Sequence, residues 1–220
     1  SQEVMGRLET VMQAAEGYME AHMQAQSAGQ TASDNSQHTL AVALAVAAEA
    51  LQAAPQALRA ALALFTAARP LWKRLYEQDA RKHRLHYAVV LRDLGLAKAE
   101  LDDHAGAAQA FEEARPLRKK LYDQEPETYR EDYANVLFNL GVTKTELGDD
   151  AGAVDAYEEV RPRWNELYDQ DEERYRAGYA NLLWNLGLAK RRLDDHAGAV
   201  DAYEEARPLR SKLYEQKPET

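Results

Sequence analysis

Apolar residues recur along this chain at the three-and-four spacing of a helix face, and the pattern returns in blocks. In one block they fall at Tyr133, Val136, Leu137, Leu140 and Leu147, which is one side of a 3.6-residue period. A short acidic turn follows, LGDDAGA at 147 to 153. A second stretch of the same kind comes after each turn, and in the preceding block it carries Ala107, Phe111, Ala114 and Leu121 on its apolar side. The pattern starts at Tyr87, Tyr133 and Tyr179, always 46 residues apart, with a worn version beginning near Ala41. A fixed period of this size predicts a solenoid, in which no unit buries its apolar face alone and each is covered by its neighbours.

Three details of the unit carry further expectations. AARPLWKRLYEQ (67 to 78), EARPLRKKLYDQ (113 to 124), EVRPRWNELYDQ (159 to 170) and EARPLRSKLYEQ (205 to 216) place a proline inside a helical run. Proline deletes a backbone hydrogen bond and crowds the carbonyl four residues back. The second helix is therefore predicted to kink or restart at Pro70, Pro116, Pro162 and Pro208. Gly95, Gly141 and Gly187 share one phase and predict a close helix crossing, since a mid-helix glycine costs about 1 kcal/mol against alanine. Ala107, Ala153 and Ala199 are expected opposite them. In the turns, Asp103, Asp149 or a neighbouring aspartate is placed to cap the following helix.

The spacing L-x-x-L-G followed by A-x-x-x-F/Y resembles the tetratricopeptide repeat. It is carried by Leu91, Leu94, Gly95, Ala107 and Phe111, by Leu137, Leu140, Gly141, Ala153 and Tyr157, and by Leu183, Leu186, Gly187, Ala199 and Tyr203. The family's usual unit has 34 residues, and this one is twelve longer, similar to the lengthened repeats of kinesin light chains and bacterial scaffold proteins. The tyrosine late in the family's first helix is replaced by Lys98, Lys144 and Lys190, whose stems are expected to cover apolar surface with their heads in water. The resemblance implies an all-α, right-handed α-α superhelix of antiparallel helix pairs. It assigns a degenerate repeat to 41–86 and repeats to 87–132, 133–178 and 179–220, within an array at 39–220. Ahead of it, Val4, Leu8, Val11, Met12, Ala15, Tyr18 and Met19 give residues 3 to 26 the pattern of an extra amphipathic helix. Residues 27 to 38 read as a polar linker, completing an N-terminal region at 1–38.

Charge and composition narrow the function. The formal net charge is -10, against phosphate-driven nucleic-acid binding. The alanine-rich run from Leu40 to Phe65 is interrupted by Glu49, Gln52, Pro55 and Arg59, against a membrane span. No basic-then-apolar leader pattern opens the chain, so cytoplasm is the default compartment. There is no cysteine for disulfides, thiolate zinc or nucleophilic catalysis. Asp102-Asp103-His104 and Asp194-Asp195-His196 sit in capping turns, and His83 and His86 form a pair without a carboxylate, so neither predicts a metal site. No catalytic or cofactor fingerprint occurs. The expectation is a chain without enzyme activity, cofactor or metal.

What the resemblance implies about binding concerns the first helix of each pair, which lines the concave surface in this family. Positions six and two before the glycine point inward there, here Val89, Asn135 and Asn181, and Asp93, Asn139 and Asn185. Arg92, Phe138 and Trp184 flank them, and Arg191 adds a basic corner. Asparagine can bracket a peptide unit with a donor and an acceptor, and the aromatics supply contact area. The expected partner is a protein or peptide. A homo-oligomeric scaffold that self-associates through its terminal repeats, and a regulatory module of a larger enzyme, are the other readings. The final KPET aligns with EPET at 125 to 128, so a further helix or a neighbouring molecule is expected against the last pair.

Overall fold

A computed structural model describes residues 34–52 and 57–215. The amphipathic pattern at 3 to 26 and the KPET terminus lie outside the described residues. The chain divides into two compact units, residues 1–103 and 104–220.

The first unit contains α1 (Asp34–Gln52), α2 (Leu58–Gln78) and α3 (Ala80–Glu100). Each helix packs on the next. α1 begins inside the stretch that reads as linker, because Asp34, Asn35 and Ser36 suit a helix start as well as a loop. The buried indole of Trp72 donates to the Ala41 carbonyl at 3.2 Å and ties α2 to α1. Between α2 and α3 only Asp79 is non-helical; it is extended, and its carboxylate accepts from the backbone N–H groups of Arg81 and Lys82.

The second unit contains α4 (His104–Gln124), α5 (Pro126–Glu146), α6 (Asp150–Gln170), α7 (Glu172–Arg192) and α8 (His196–Glu215). Consecutive helices pack together throughout, around a core that includes Tyr133, Leu137, Tyr157, Val160, Leu183 and Leu186. The apolar face Ala107, Phe111, Ala114 and Leu121 is buried as its spacing requires. Leu147 is not; it lies past the end of α5 and is 47% exposed. α3, α5 and α7 start at 80, 126 and 172, seven residues ahead of the repeating tyrosines. The sequence unit and the structural unit are thus out of phase by two turns, and the extra length is taken up by helices of 21 residues each, α3 to α7, joined by short turns.

The prolines neither end nor restart a helix: α2, α4, α6 and α8 run through Pro70, Pro116, Pro162 and Pro208. All four are exposed, so the lost backbone bond falls on the solvent side, where a helix tolerates it best. The close crossing at glycine is real, but its partner is an aromatic ring. A Cβ at Gly141 would overlap Tyr157, and one at Gly187 would overlap Tyr203, rather than the alanines expected there.

Polar ladders join one helix pair to the next. Arg115 and the Tyr133 hydroxyl both donate to Glu159, and Arg161 and Tyr179 do the same to Glu205. The Glu-x-Arg-Pro motif therefore hands an arginine forward to the next unit's glutamate. The lysines that replace the family tyrosine end on carboxylates rather than in water: Lys144 lies 2.9 Å from Glu112 and Lys190 lies 2.5 Å from Glu158. The Glu112 hydrogen bond is the main cause that raises the Lys144 pKa.

Candidate functional site

α5 and α7 carry most of the residues singled out by the sequence. They are tied side by side by Glu131, which accepts from Arg174 at 2.9 Å and from the Tyr175 hydroxyl at 2.7 Å. Asn135 and Asn139 stand one turn apart on α5, and Asn181 and Asn185 stand one turn apart on α7, so each pair shares a helix face. Asn181 is exposed and the other three are half-buried. Among the described residues none of these four side-chain amides makes a hydrogen bond. The amides are therefore not consumed by bonding between neighbouring helices.

The two aromatic flanks differ. Phe138 faces Tyr157 and Trp164 at ring distances of 6.1 and 6.2 Å and packs against the core. Trp184 is 44% exposed, with Tyr203 at 4.9 Å and the Arg210 guanidinium 4.3 Å above its ring. Beside it lies a cleft of about 160 Å³ lined by Asn181, Arg210, Leu213 and Tyr214. Arg210, Leu213 and Tyr214 were not singled out by the sequence, because they belong to the second helix of the pair. Their signal was present in the register: Arg210 occupies the position of Trp72, Arg118 and Trp164 in earlier units. Arg191 is exposed, and its neighbour Arg192 pairs with Asp150 at 3.3 Å.

In the first unit, Arg92 is half-buried and its Nε donates to Asp93 at 2.7 Å. The Asp93 carboxylate is buried, 3% exposed, so it is engaged inside the fold rather than displayed. Val89 lines an apolar groove between α1 and α3.

The Asp-Asp-His turns resolve into two structural roles. Asp102 and Asp194 take left-handed backbone, φ 61° and 60°, at the position Gly148 fills with φ 75°. In the later turns the following aspartate caps the next helix: Asp149 accepts from the Gly152 N–H and Asp195 from the Gly198 N–H. The fold brings His38 to within 5.5 Å of His83 and 6.4 Å of His86, ring to ring, around Trp72. Among the described residues, no group of three or more His, Cys, Asp or Glu is arranged to hold a metal ion. Burial lowers the pKa of both His83 and His86.

Comparison with known proteins agrees with this geometry. Residues 135–161 match the tetratricopeptide repeat family. The crystal structure of MamA protein is similar to this chain with a TM-score of 0.50 and 16% identity, over 94% of this chain and 97% of that one. The nearly identical TPR-like repeats of a Podosopora anserina protein assigned as a kinesin light chain give a TM-score of 0.54 at 15% identity, covering 99% and 95%. No curated protein matches the sequence. The chain is therefore an all-α helical repeat array. Its helix pairs have a tetratricopeptide-repeat-like fold, with a sequence period of 46 residues.

No helix among the described residues is long and apolar enough to cross a membrane.

Proposed function

We propose that this chain is a non-catalytic interaction scaffold, and that the face formed by α5 and α7 holds an extended peptide or protein segment. The observation that carries the reading is the set of four asparagine amides without internal partners. Each offers two donors and an acceptor, enough to bracket a peptide unit without demanding a sequence. Trp184, half-exposed and backed by Tyr203, supplies the flat apolar contact that an otherwise polar face needs for affinity. Arg210 and Arg191 set a preference for acidic groups near it.

The test is selection of binding peptides from a random display library with the full chain, followed by titration of the recovered peptides. Asn139→Ala with Asn185→Ala should weaken binding at least tenfold while helicity is unchanged. Peptides that bind the double variant as tightly as the parent would place the ligand elsewhere. An absence of any enriched peptide, together with concentration-dependent light scattering, would favour the homo-oligomeric scaffold.

A further inference from the structure

The asparagine face has an apolar counterpart in the first unit. Val42 and Val46 of α1, Trp72 of α2, and Leu85 and Val89 of α3 line a groove of about 350 Å³. Val46 at its rim is 53% exposed. A groove of this volume accepts a few side chains rather than a whole helix, so its natural occupant is the apolar edge of an amphipathic segment.

We propose that this groove seats the chain's own residues 3 to 26. Val4, Leu8, Val11, Met12, Ala15 and Tyr18 supply a single apolar edge at helical spacing. Methionine in that edge suits an irregular groove. The tether favours the pairing. Residues 27 to 33 connect the segment to Asp34, the first residue of α1, and α1 itself forms one wall of the groove. Seven extended residues reach about 23 Å, enough to reverse direction, and a 24-residue helix would be about 36 Å long against about 28 Å for α1. A connection this short also holds the segment at millimolar effective concentration, so the same apolar edge on another molecule competes poorly. Charge agrees as well. The segment carries Glu3, Glu9, Glu16 and Glu20 against Arg7, while the first turn of α3 exposes Arg81 and Lys82 and carries no acid. The polar asparagine face of the second unit offers no equivalent apolar seat.

The chain has no cysteine, which makes a cross-linking test clean in the full-length protein. Val46→Cys is combined in turn with Leu8→Cys, Ala15→Cys and Gln13→Cys, the last on the polar side of the segment, and each is oxidised with oxidised glutathione. Leu8→Cys or Ala15→Cys should form an intramolecular disulfide at least tenfold faster than Gln13→Cys, at a rate independent of protein concentration. Equal rates for the three would show that the segment has no seat. Disulfides between chains at a concentration-dependent rate would assign the groove to a second copy. Val46 is mostly exposed, so its replacement leaves the fold intact. A second measurement uses no cysteine: amide exchange at residues 4 to 19 should be slowed in the parent and released by Val46→Glu. Unprotected amides in the parent, or protection that survives Val46→Glu, would overturn the assignment.

Discussion

Arg118 and Asp132 meet at 2.6 Å, fourteen residues apart, with the arginine side chain fully buried. One repeat earlier the same two positions hold Trp72 stacked on His86 at 4.8 Å, and one repeat later they hold Trp164, whose ring fills the space where a Gly178 Cβ would stand. A single contact site between consecutive helices is thus solved by an ion pair, by stacking, or by a ring against bare backbone. The two members change together. Asp132→Gly should cost about 2 kcal/mol, below the usual loss for a buried pair because the aspartate side chain is 37% exposed. Arg118→Trp alone should also destabilise, by forcing a ring onto the carboxylate. The double variant should recover at least about 1 kcal/mol of coupling in urea unfolding. Strict additivity would show that the two positions are independent.

This pairing also shows what the sequence did and did not disclose. The helix faces were legible because burial of Leu137, Leu140, Phe111 and Ala114 follows a 3.6-residue period that needs no knowledge of neighbours. The helix starts were displaced by seven residues, because the extra turns at 80–86, 126–132 and 172–178 carry charged and polar groups such as Arg130 and Arg176 that become buried only against another helix. The asparagine positions came from the resemblance, and the structure leaves their amides free of internal bonds. Arg210 beside Trp184, and His38 beside His83, join residues 26 and 45 positions apart. No local pattern announces such contacts.

The ring contacts at glycine predict an inverted response to a substitution that ordinarily favours helices. Alanine for glycine gains about 1 kcal/mol of helix propensity. At Gly141 the added methyl would strike Tyr157, which is 0% exposed and has no room to retreat. Overpacking of this kind costs about 1 to 3 kcal/mol. Gly141→Ala should therefore lower the thermal midpoint, and Tyr157→Leu in the same chain should return part of the loss. A rise in midpoint for Gly141→Ala alone would refute the contact.

The Tyr-Glu-Arg ladders make stability sensitive to alkali. Burial first, then the hydrogen bond to glutamate, raises the pKa of Tyr133 and of Tyr179, and burial pushes Tyr157 up to about 12. A raised folded pKa favours the protonated form in the native state. The stabilisation is therefore complete below the unfolded tyrosine value near 10 and declines as pH climbs above it. The thermal midpoint should be flat between pH 8 and 9.5 and fall beyond pH 10. Tyr133→Phe with Tyr179→Phe should start lower and fall less steeply.

Acid should act on the first unit. Burial is the main cause that lowers the pKa of His83, assisted by Lys82 and His38 and opposed by Asp79; burial and then His38 lower that of His86. A depressed histidine pKa contributes stability above the unfolded value near 6.5 and loses it as pH falls through the folded one. Amide exchange corrected for intrinsic rates should therefore accelerate at residues 58–100 between pH 7.5 and pH 5. It should change less at residues 126–192. Equal acceleration in both regions would remove the histidines as the cause.

Trp184 and Phe138 occupy one repeat position, yet they should respond differently to truncation. Phe138 packs between Tyr157 and Trp164, so Phe138→Ala should cost about 2 kcal/mol of stability, somewhat less than a fully buried phenylalanine. Trp184 is 44% exposed and its main partners are Tyr203 and the Arg210 guanidinium. Its removal should cost under about 1 kcal/mol of folding, mostly the lost cation–π contact. On a peptide recovered by selection, the order should reverse. An aromatic anchor at the centre of a desolvated contact is typically worth about 2 kcal/mol or more, a thirtyfold weakening or greater. Trp184→Ala is therefore the cleaner probe of the binding face, read by titration alongside a urea curve of the same sample. If it binds within a factor of two of the parent, the α5 and α7 face is not where the ligand's apolar side chain lies.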